Sequence, residues 1–213
     1  MKKKVGLLTV ASGLLVVSIV GGSLAYFRAD GDARNTISAG NLGVDLVVED
    51  KDNSMVYEDN GFVVAGALPG DTYDYPVQAY NSGDFDSYVR ITLTKYWEDQ
   101  NGEKNFDADS SLIELTNLDS ENWIVDATDE NNEVVYCYYK HPLSSKEASS
   151  NVIDQIKVGN IESKDQNLYS NLQIKVDVEV DAIQKAAAQD AILAEWGLDV
   201  SFDEDGTMVS VEE

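Results

Sequence analysis

The chain has little of what most catalytic and metal-binding sites are built from. Its 213 residues contain a single histidine, His141, and a single cysteine, Cys137. One histidine excludes the H-E-x-x-H motif and any multi-histidine metal site, and one cysteine excludes an intramolecular disulfide. The G-x-S-x-G elbow, the P-loop and the dinucleotide motif G-x-G-x-x-G are also missing from the sequence. We therefore expect no nucleotide or other cofactor and no enzymatic activity.

Basic residues are also scarce, and this limits the classes of partner. The sequence has 15 Lys and Arg against 39 Asp and Glu, a net charge of −24. Three of the lysines are Lys2, Lys3 and Lys4, so a chain without its first 25 residues carries −27. Nucleic acids and anionic membranes repel such a protein, which excludes nucleic-acid binding. Copies of the chain also repel each other, and salt, divalent cations or low pH weaken that repulsion.

Only one long apolar run occurs, and it lies at the N-terminus. Residues 5–22 follow the basic start MKKK and precede Ser23-Leu24-Ala25, a small-x-small site of the kind that signal peptidases cleave. The run is marginal for a hydrocarbon core of about 30 Å, which needs about 20 residues. We predict that residues 1–25 are a signal peptide cleaved between Ala25 and Tyr26, which makes the protein secreted. An uncleaved single anchor with its N-terminus inside is the alternative.

Carboxylates are abundant, but their spacing matches no known site. Residues 107–111, 126–133 and 203–206 contain closely spaced acids, the oxygen ligands that calcium prefers. None of the three segments has the ligand spacing of a calcium loop that ends in a bidentate glutamate. Turns and solvated surface are the favoured interpretation, so calcium is a partner without a supporting motif. A pair of acids for glycoside hydrolysis needs a separation in space that the sequence does not supply.

Short strands dominate the rest of the chain. The clearest, residues 172–183, places aliphatic side chains at every second position and polar ones between them. In residues 88–97, Val89, Ile91 and Leu93 alternate with polar residues in the same way. Further strands are predicted, with a turn at 67–73, at residues 42–48, 61–65, 74–80, 122–127 and 133–141.

Helical composition is confined to residues 184–196, which end before Gly197 as a helix stop. Residues 98–121 are predicted to form a polar loop. The acidic tail after the helix is either a closing hairpin around residues 203–206 or a frayed end. Several short strands and one late helix are typical of a β-sandwich. We predict one sandwich domain at residues 53–213, preceded by an N-terminal arm at residues 26–52.

Single residues allow narrower predictions. Cys137 lies on an alternating face and is predicted to be buried, whereas His141 at a strand end is predicted to be exposed and structural. Arg90 in its acidic neighbourhood is expected to form an ion pair. Eight tyrosines in strands and turns are expected to cover a sandwich face, with a carbohydrate-binding or assembly surface as the alternative. These are Tyr73, Tyr75, Tyr80, Tyr88, Tyr96, Tyr136, Tyr138 and Tyr139.

Two blocks of the sequence are similar to one family. Residues 21–42 contain a glycine pair, the cleavage site at Ala25, the aromatic start Tyr26-Phe27 and the motif NTISAGNL. Residues 68–91, LPGDTYDYPVQAYNSGDFDSYVRI, contain a Pro-Gly-Asp turn, an Asn-x-Gly hairpin and a Tyr-Val-Arg strand. Both blocks resemble the TasA/camelysin family, the SipW-dependent secreted biofilm-matrix proteins of Gram-positive bacteria. The late segment VDVEVDAIQ…AEWG resembles the BsaA-like branch.

The resemblance implies a jelly-roll-like β-sandwich, export through Sec with a signal peptidase of the SipW type, and polymerisation into extracellular fibres. The protein is then expected to be all-β with one short helix in the C-terminal region. Camelysin relatives are described as metalloproteases, but this chain has no zinc motif, so that activity is not carried over. In fibre-forming relatives the N-terminal segment completes the sheet of a neighbouring subunit.

The N-terminal arm is the candidate assembly element. After cleavage it is a free strand-forming segment, and an unpaired sheet edge is a template for an added strand. Donation from one subunit to the next is a head-to-tail contact that grows a filament. Residues expected to act in assembly are Tyr26, Phe27, Ile37, Leu42, Val44 and Leu46.

Other hypotheses remain open from the sequence. The arm is alternatively the first strand of its own domain. The protein is alternatively a monomeric cell-surface binding module, such as an adhesin or glycan binder. If the N-terminus is not cleaved, the chain is a membrane-tethered ectodomain. A secreted hydrolase is the last alternative, and it lacks a nominated catalytic set.

Overall fold

The computed structural model describes residues 26–29, 43–48, 55–58, 61–127 and 132–212. Two antiparallel sheets pack face to face. The larger has the order β3-β4-β11-β6-β9-β8, with β1 also paired to β11, and the smaller has the order β2-β5-β10-β7. The large sheet consists of β1 (Tyr26–Ala29), β3 (Met55–Glu58), β4 (Gly61–Ala65), β6 (Ser87–Glu98), β8 (Trp123–Asp126), β9 (Val134–Tyr139) and β11 (Gln173–Gln184). The small sheet consists of β2 (Asp45–Val48), β5 (Thr72–Tyr80), β7 (Ile113–Thr116) and β10 (Ile153–Val158).

The centre of the large sheet follows directly from the alternating sequence. Strands β6 and β11 pair along their whole lengths, from Ser87 opposite Gln184 to Glu98 opposite Gln173. In β6, Val89, Ile91 and Leu93 are fully buried, as their period of two predicts. The strands predicted at residues 122–127 and 133–141 are also confirmed, as β8 and β9, and they pair as an antiparallel hairpin.

The main core lies between the two sheets. Inward-facing aliphatic and aromatic residues of both sheets form one buried cluster, which includes Phe62, Tyr75, Ile91, Trp97, Trp123, Ile156 and Ile174. The predicted all-β sandwich with one short helix in the C-terminal region is therefore confirmed. A second helical segment, α1 (Gln166–Tyr169), is a single turn.

A second, smaller core lies on the opposite face of the large sheet. Helix α2 (Ala188–Trp196) and the hairpin of β12 (Asp199–Phe202) and β13 (Met208–Glu212) cover that face. We call residues 188–212 the C-terminal cap. The helix ends at Gly197 in the left-handed conformation, φ +72°, as predicted. The Asp203 carboxylate accepts hydrogen bonds from the backbone of Asp205 and Thr207, so the tail is a hairpin and the frayed-end alternative is wrong.

Three strands lie where none was predicted: β3, β7 and β10. The prediction of a loop at residues 98–121 is wrong for β7, which follows a 3-10 turn at Ser110–Leu112. In β10 the buried residues Ile153 and Ile156 are three positions apart, because the register with β5 shifts between Ile153 and Gln155. A bulge of this kind breaks the period of two from which strands are predicted.

Within the described part of the chain, no helix has the length and apolar character needed to cross a membrane. The predicted signal peptide at residues 1–25 lies outside the described residues.

Candidate assembly site

The edge of β11 that faces away from β6 is shared by two strands. Strand β4 pairs with Gln173–Asp177, and β1 pairs with the stretch from Val180 to Ile183. We call residues 178–184 of β11 the slot edge, since β4 leaves this part of the strand for another partner. In the structure, β1 of the same chain occupies it.

The lower limit of the slot edge is set by Gly61, the first residue of β4. A Cβ atom at this position would lie 1.8 Å from the carbonyl oxygen of Val176 and 2.9 Å from the Cα of Asp177. Only glycine permits so close an approach of the two backbones. Strand β4 therefore starts directly against β11, and a second strand has room only beyond it.

The slot edge presents two different faces. Val180 and Ala182 belong to the main core between the sheets, whereas Ile183 belongs to the smaller core under the C-terminal cap. Asp181 points to the cap side by alternation, and only 2% of its surface is exposed. A carboxylate so far from water needs a cationic partner.

That partner is Arg90 of β6, directly opposite Asp181 in the register. Its Nη2 and Nε atoms lie 2.7 Å and 3.2 Å from Oδ2 of Asp181. The guanidinium carbon also lies 4.9 Å from the ring centre of Trp196 and 5.4 Å from that of Tyr136. The ion pair predicted for Arg90 is thus confirmed, and it is held between the sheet and the end of α2.

Tyr138 completes the apolar surroundings of this pair. Its ring centre lies 5.8 Å from that of Trp196. Burial raises the pKa of Tyr138 to about 12, although the nearby Arg90 acts in the opposite direction. Tyr138 and Asp181 are each only 2% exposed, so the site is poor in water and charge interactions inside it are weakly screened.

The residues predicted to act in assembly have different positions. Tyr26 and Phe27 lie in β1, while Ile37 and Leu42 lie outside the described residues, as does Ala25 of the predicted cleavage site. Val44 is 4% exposed and belongs to the main core, and Leu46 packs against that core from β2. Val44 and Leu46 are therefore part of the sandwich itself.

The beginning of β2 is also held by the backbone. The carbonyl oxygen of Gly43 accepts a hydrogen bond of 3.0 Å from the amide of Gly83. Pairing of β2 with β5 then continues from Asp45 to Val48. Residues 43–48 are consequently built into the small sheet, and β1 is the described strand that precedes them.

The tyrosines support the interpretation that they cover sandwich faces. Four of the eight that were singled out are buried, and the other four are half-buried, so none of the eight is fully exposed. The hydroxyl of Tyr88 donates a hydrogen bond of 2.5 Å to the carbonyl of Gly206, which fastens the cap hairpin to β6.

The other residues considered for a chemical role, Cys137, His141 and Asp109, are buried or contact neighbouring groups of the protein. Burial raises the pKa of the Cys137 thiol to about 12, and its side chain is 0% exposed. His141 is exposed, and its Nδ1 lies 3.3 Å from Oγ1 of Thr207. Asp109 accepts a hydrogen bond from the amide of Ser111 and so caps a turn. Among the described residues, no group of three or more His, Cys, Asp or Glu side chains is arranged to hold a metal ion.

Nothing in the sequence singles out Asp181. It is one of 39 acidic residues and occupies a position of β11 that alternation marks as outward-facing. It pairs with Arg90, and the C-terminal cap covers this face of the large sheet; both are far from Asp181 in the sequence. Comparison of the chain with protein-family models, with curated proteins and with solved structures finds no match.

Proposed function

We propose that the chain is a secreted structural subunit of extracellular biofilm-matrix fibres, and that it polymerises by placing residues 26–29 on the slot edge of a neighbouring copy. The observation that carries the proposal is the division of the β11 edge. Strand β4 covers only Gln173–Asp177, and a separate four-residue strand, β1, pairs with Val180–Ile183.

The connection between β1 and the rest of the sandwich permits such an exchange. Strand β1 pairs in the large sheet, whereas the next strand, β2, is fixed in the small sheet. The residues between Ala29 and Gly43 span at most about 43 Å when extended, at about 3.3 Å per residue. This span exceeds the diameter of a small domain, about 30 Å, which is the order of distance that donation to an adjacent subunit has to cover.

Exchange preserves the backbone pairing. The hydrogen bonds between β1 and the slot edge are the same whether the strand comes from the same chain or from another one. The entropy of association opposes exchange, and a high local concentration favours it. Each subunit donates one strand and accepts another, so the contact does not close and a filament grows.

Two features of the sequence support the same function. Cleavage after Ala25 by a signal peptidase of the SipW type makes Tyr26 the free end of β1, so the strand can be withdrawn without threading. The resemblance of residues 21–42 and 68–91 to the TasA/camelysin family also points to secreted fibre subunits. The net charge of −27 per mature chain opposes assembly until salt, cations or low pH reduce the repulsion.

A disulfide between β1 and the slot edge tests the proposal. Ala29 and Val180 are directly opposite in the register, and opposed antiparallel residues have Cα separations of about 4.5–5.5 Å, which a disulfide spans. The variant Ala29→Cys/Val180→Cys of residues 26–213 is compared with each single substitution. The native Cys137 does not compete, because it is fully buried.

Negative-stain microscopy, light scattering and non-reducing electrophoresis are applied to the reduced protein, to oxidised fibres and to the oxidised dilute monomer. Reduced protein is expected to form fibres, and oxidation within fibres is expected to give a ladder of covalent multimers. Oxidation of the dilute monomer locks β1 on its own chain and is expected to prevent fibres until a reductant is added. Fibres that grow equally well from the locked monomer would refute strand donation. A reduced protein that stays monomeric across acidic and neutral pH, with salt and calcium, would favour the binding-module alternative.

A further inference from the structure

The slot edge contains two acidic residues, Glu179 and Asp181, and of these two only Asp181 is buried. Asp181 is 2% exposed, and its carboxylate lies at the centre of the strand segment that β1 covers. Neighbouring Val180, Ala182 and Ile183 are apolar and buried. A strand that occupies the slot edge removes Asp181 from water, and a basic residue opposite the carboxylate compensates for that cost better than an apolar residue does.

The register places a basic residue at this position on both sides of β11. Arg90 of β6 is opposite Asp181 on one side, and Arg28 of β1 is opposite it on the other. Both hydrogen bonds from Arg90 reach Oδ2. A carboxylate has acceptor sites on both oxygens, so Asp181 is able to serve a cation on each neighbouring strand.

We infer that Asp181 selects the strand that occupies the slot edge, by requiring a basic residue opposite it and so setting the register of Tyr26–Ala29. The occupant that fits is the N-terminal strand of this chain, which in a fibre belongs to a second copy. As a statement about fibres the inference rests on the proposed function. As a statement about register it applies equally to a strand of the same chain.

Apolar pattern alone does not define this register. Tyr26 and Phe27 are both large aromatic residues, so a shift by one position still brings an aromatic residue to each face. The same shift would place Arg28 opposite Val180 or Ala182, whose side chains lie in the main core. Shifts by one residue exchange the two faces of a strand, so they put a charge into the core and are excluded.

The competing arrangement is a shift by two residues, which places Arg28 opposite Glu179. Glu179 lies two positions from Asp181 on the same face of β11, but it is partly exposed. Charge interactions weaken as solvent screening increases. The observed register therefore gains its advantage from Asp181 being more buried than Glu179.

The test measures the register directly by disulfide trapping. Two reporters share Ala29→Cys: Val180→Cys reports the observed register, and Val178→Cys reports the shift by two. Each reporter is built into residues 26–213 and combined with Arg28→Ala, Arg28→Lys or Arg34→Ala. Arg34→Ala is the matched control, because it removes the same charge from the same N-terminal segment. Initial rates of disulfide formation under mild oxidation are read on non-reducing gels.

Arg28→Ala is expected to lower the ratio of observed to shifted crosslinks about fivefold, the upper end of the range for a cross-strand ion pair. Arg28→Lys and Arg34→Ala are expected to leave the ratio within about twofold of the parent. An unchanged ratio in Arg28→Ala, or an equal fall in Arg34→Ala, would overturn the inference. Gel mobility separates interchain from intrachain crosslinks. Intrachain crosslinks alone under fibre-forming conditions would refute strand donation and still report which residue sets the register.

Discussion

The substitution Asp181→Asn tests whether the slot edge depends on a buried charge. Asparagine has the same shape as aspartate but no charge, so it leaves the packing of β11 in place. The guanidinium of Arg90 would then remain beneath the C-terminal cap with its charge unbalanced. Its side chain is only 14% exposed, so water compensates little of the loss.

The size of the effect follows from burial. Removing one partner of a buried ion pair costs about 3–5 kcal/mol, because the other charge is left without compensation. The amide oxygen of asparagine still accepts a hydrogen bond, so we expect a loss near the lower end, about 3 kcal/mol in the free energy of unfolding.

An exposed pair in the same protein provides the matched control. Lys157 and Glu114 are 3.0 Å apart, and their side chains are 44% and 42% exposed. The variant Glu114→Gln is therefore expected to cost less than about 1 kcal/mol. Both variants differ from the parent by one carboxylate replaced by its amide, and only the burial of the pair is different.

Urea unfolding of residues 26–213, followed by tryptophan fluorescence at fixed ionic strength, measures both changes. Trp196 contacts Arg90 in the cap, so its emission also reports local disturbance of the site. The m-value must stay constant for the comparison to hold. Equal losses for Asp181→Asn and Glu114→Gln would refute the conclusion that burial makes the Arg90–Asp181 pair important.

Three further predictions follow from burial and protonation. Val44→Ala should lower the free energy of unfolding by about 2 kcal/mol in urea denaturation, because it removes part of a buried side chain from the main core. The control Val56→Ala, at a position 63% exposed, should cost less than about 0.5 kcal/mol. Equal losses for the two variants would contradict the placement of β2 in the folded core. The thiol of Cys137 should not react with a thiol reagent at mildly alkaline pH until the protein is unfolded, because it is buried and its pKa is raised to about 12; rapid labelling of the folded chain would contradict this. The pKa of Tyr138 is raised to about 12 in the folded state, so the folded protein holds this proton more strongly than the unfolded chain. The associated stability should be complete below about pH 10 and should fall by about 2 kcal/mol as the pH approaches 12, and urea midpoints that are independent of pH in this range would refute the assignment.

Local patterns were sufficient for the elements that alternate regularly or end at a turn residue. The clean period of two in β6 and β11 and the helix stop at Gly197 have causes within a few neighbouring residues, whereas the hairpin at Asp203 was one of two alternatives that the sequence left open. Strand β10 was missed because a bulge interrupts its period, and β7 because its four residues carry too short a pattern. Regular pairing is visible in a sequence, whereas an irregular strand depends on the partner that accommodates it.

The sequence by itself determined the β class, the strongly acidic character and the lack of any recognised motif for catalysis. These properties depend on composition and on short-range periodicity. Only the tertiary structure decided that Val44 and Leu46 belong to the sandwich, and that Asp181 is a buried carboxylate between Arg90 and the position of Arg28. Those contacts join residues from distant parts of the chain, and the C-terminal cap covers the face of the large sheet on which Asp181 lies.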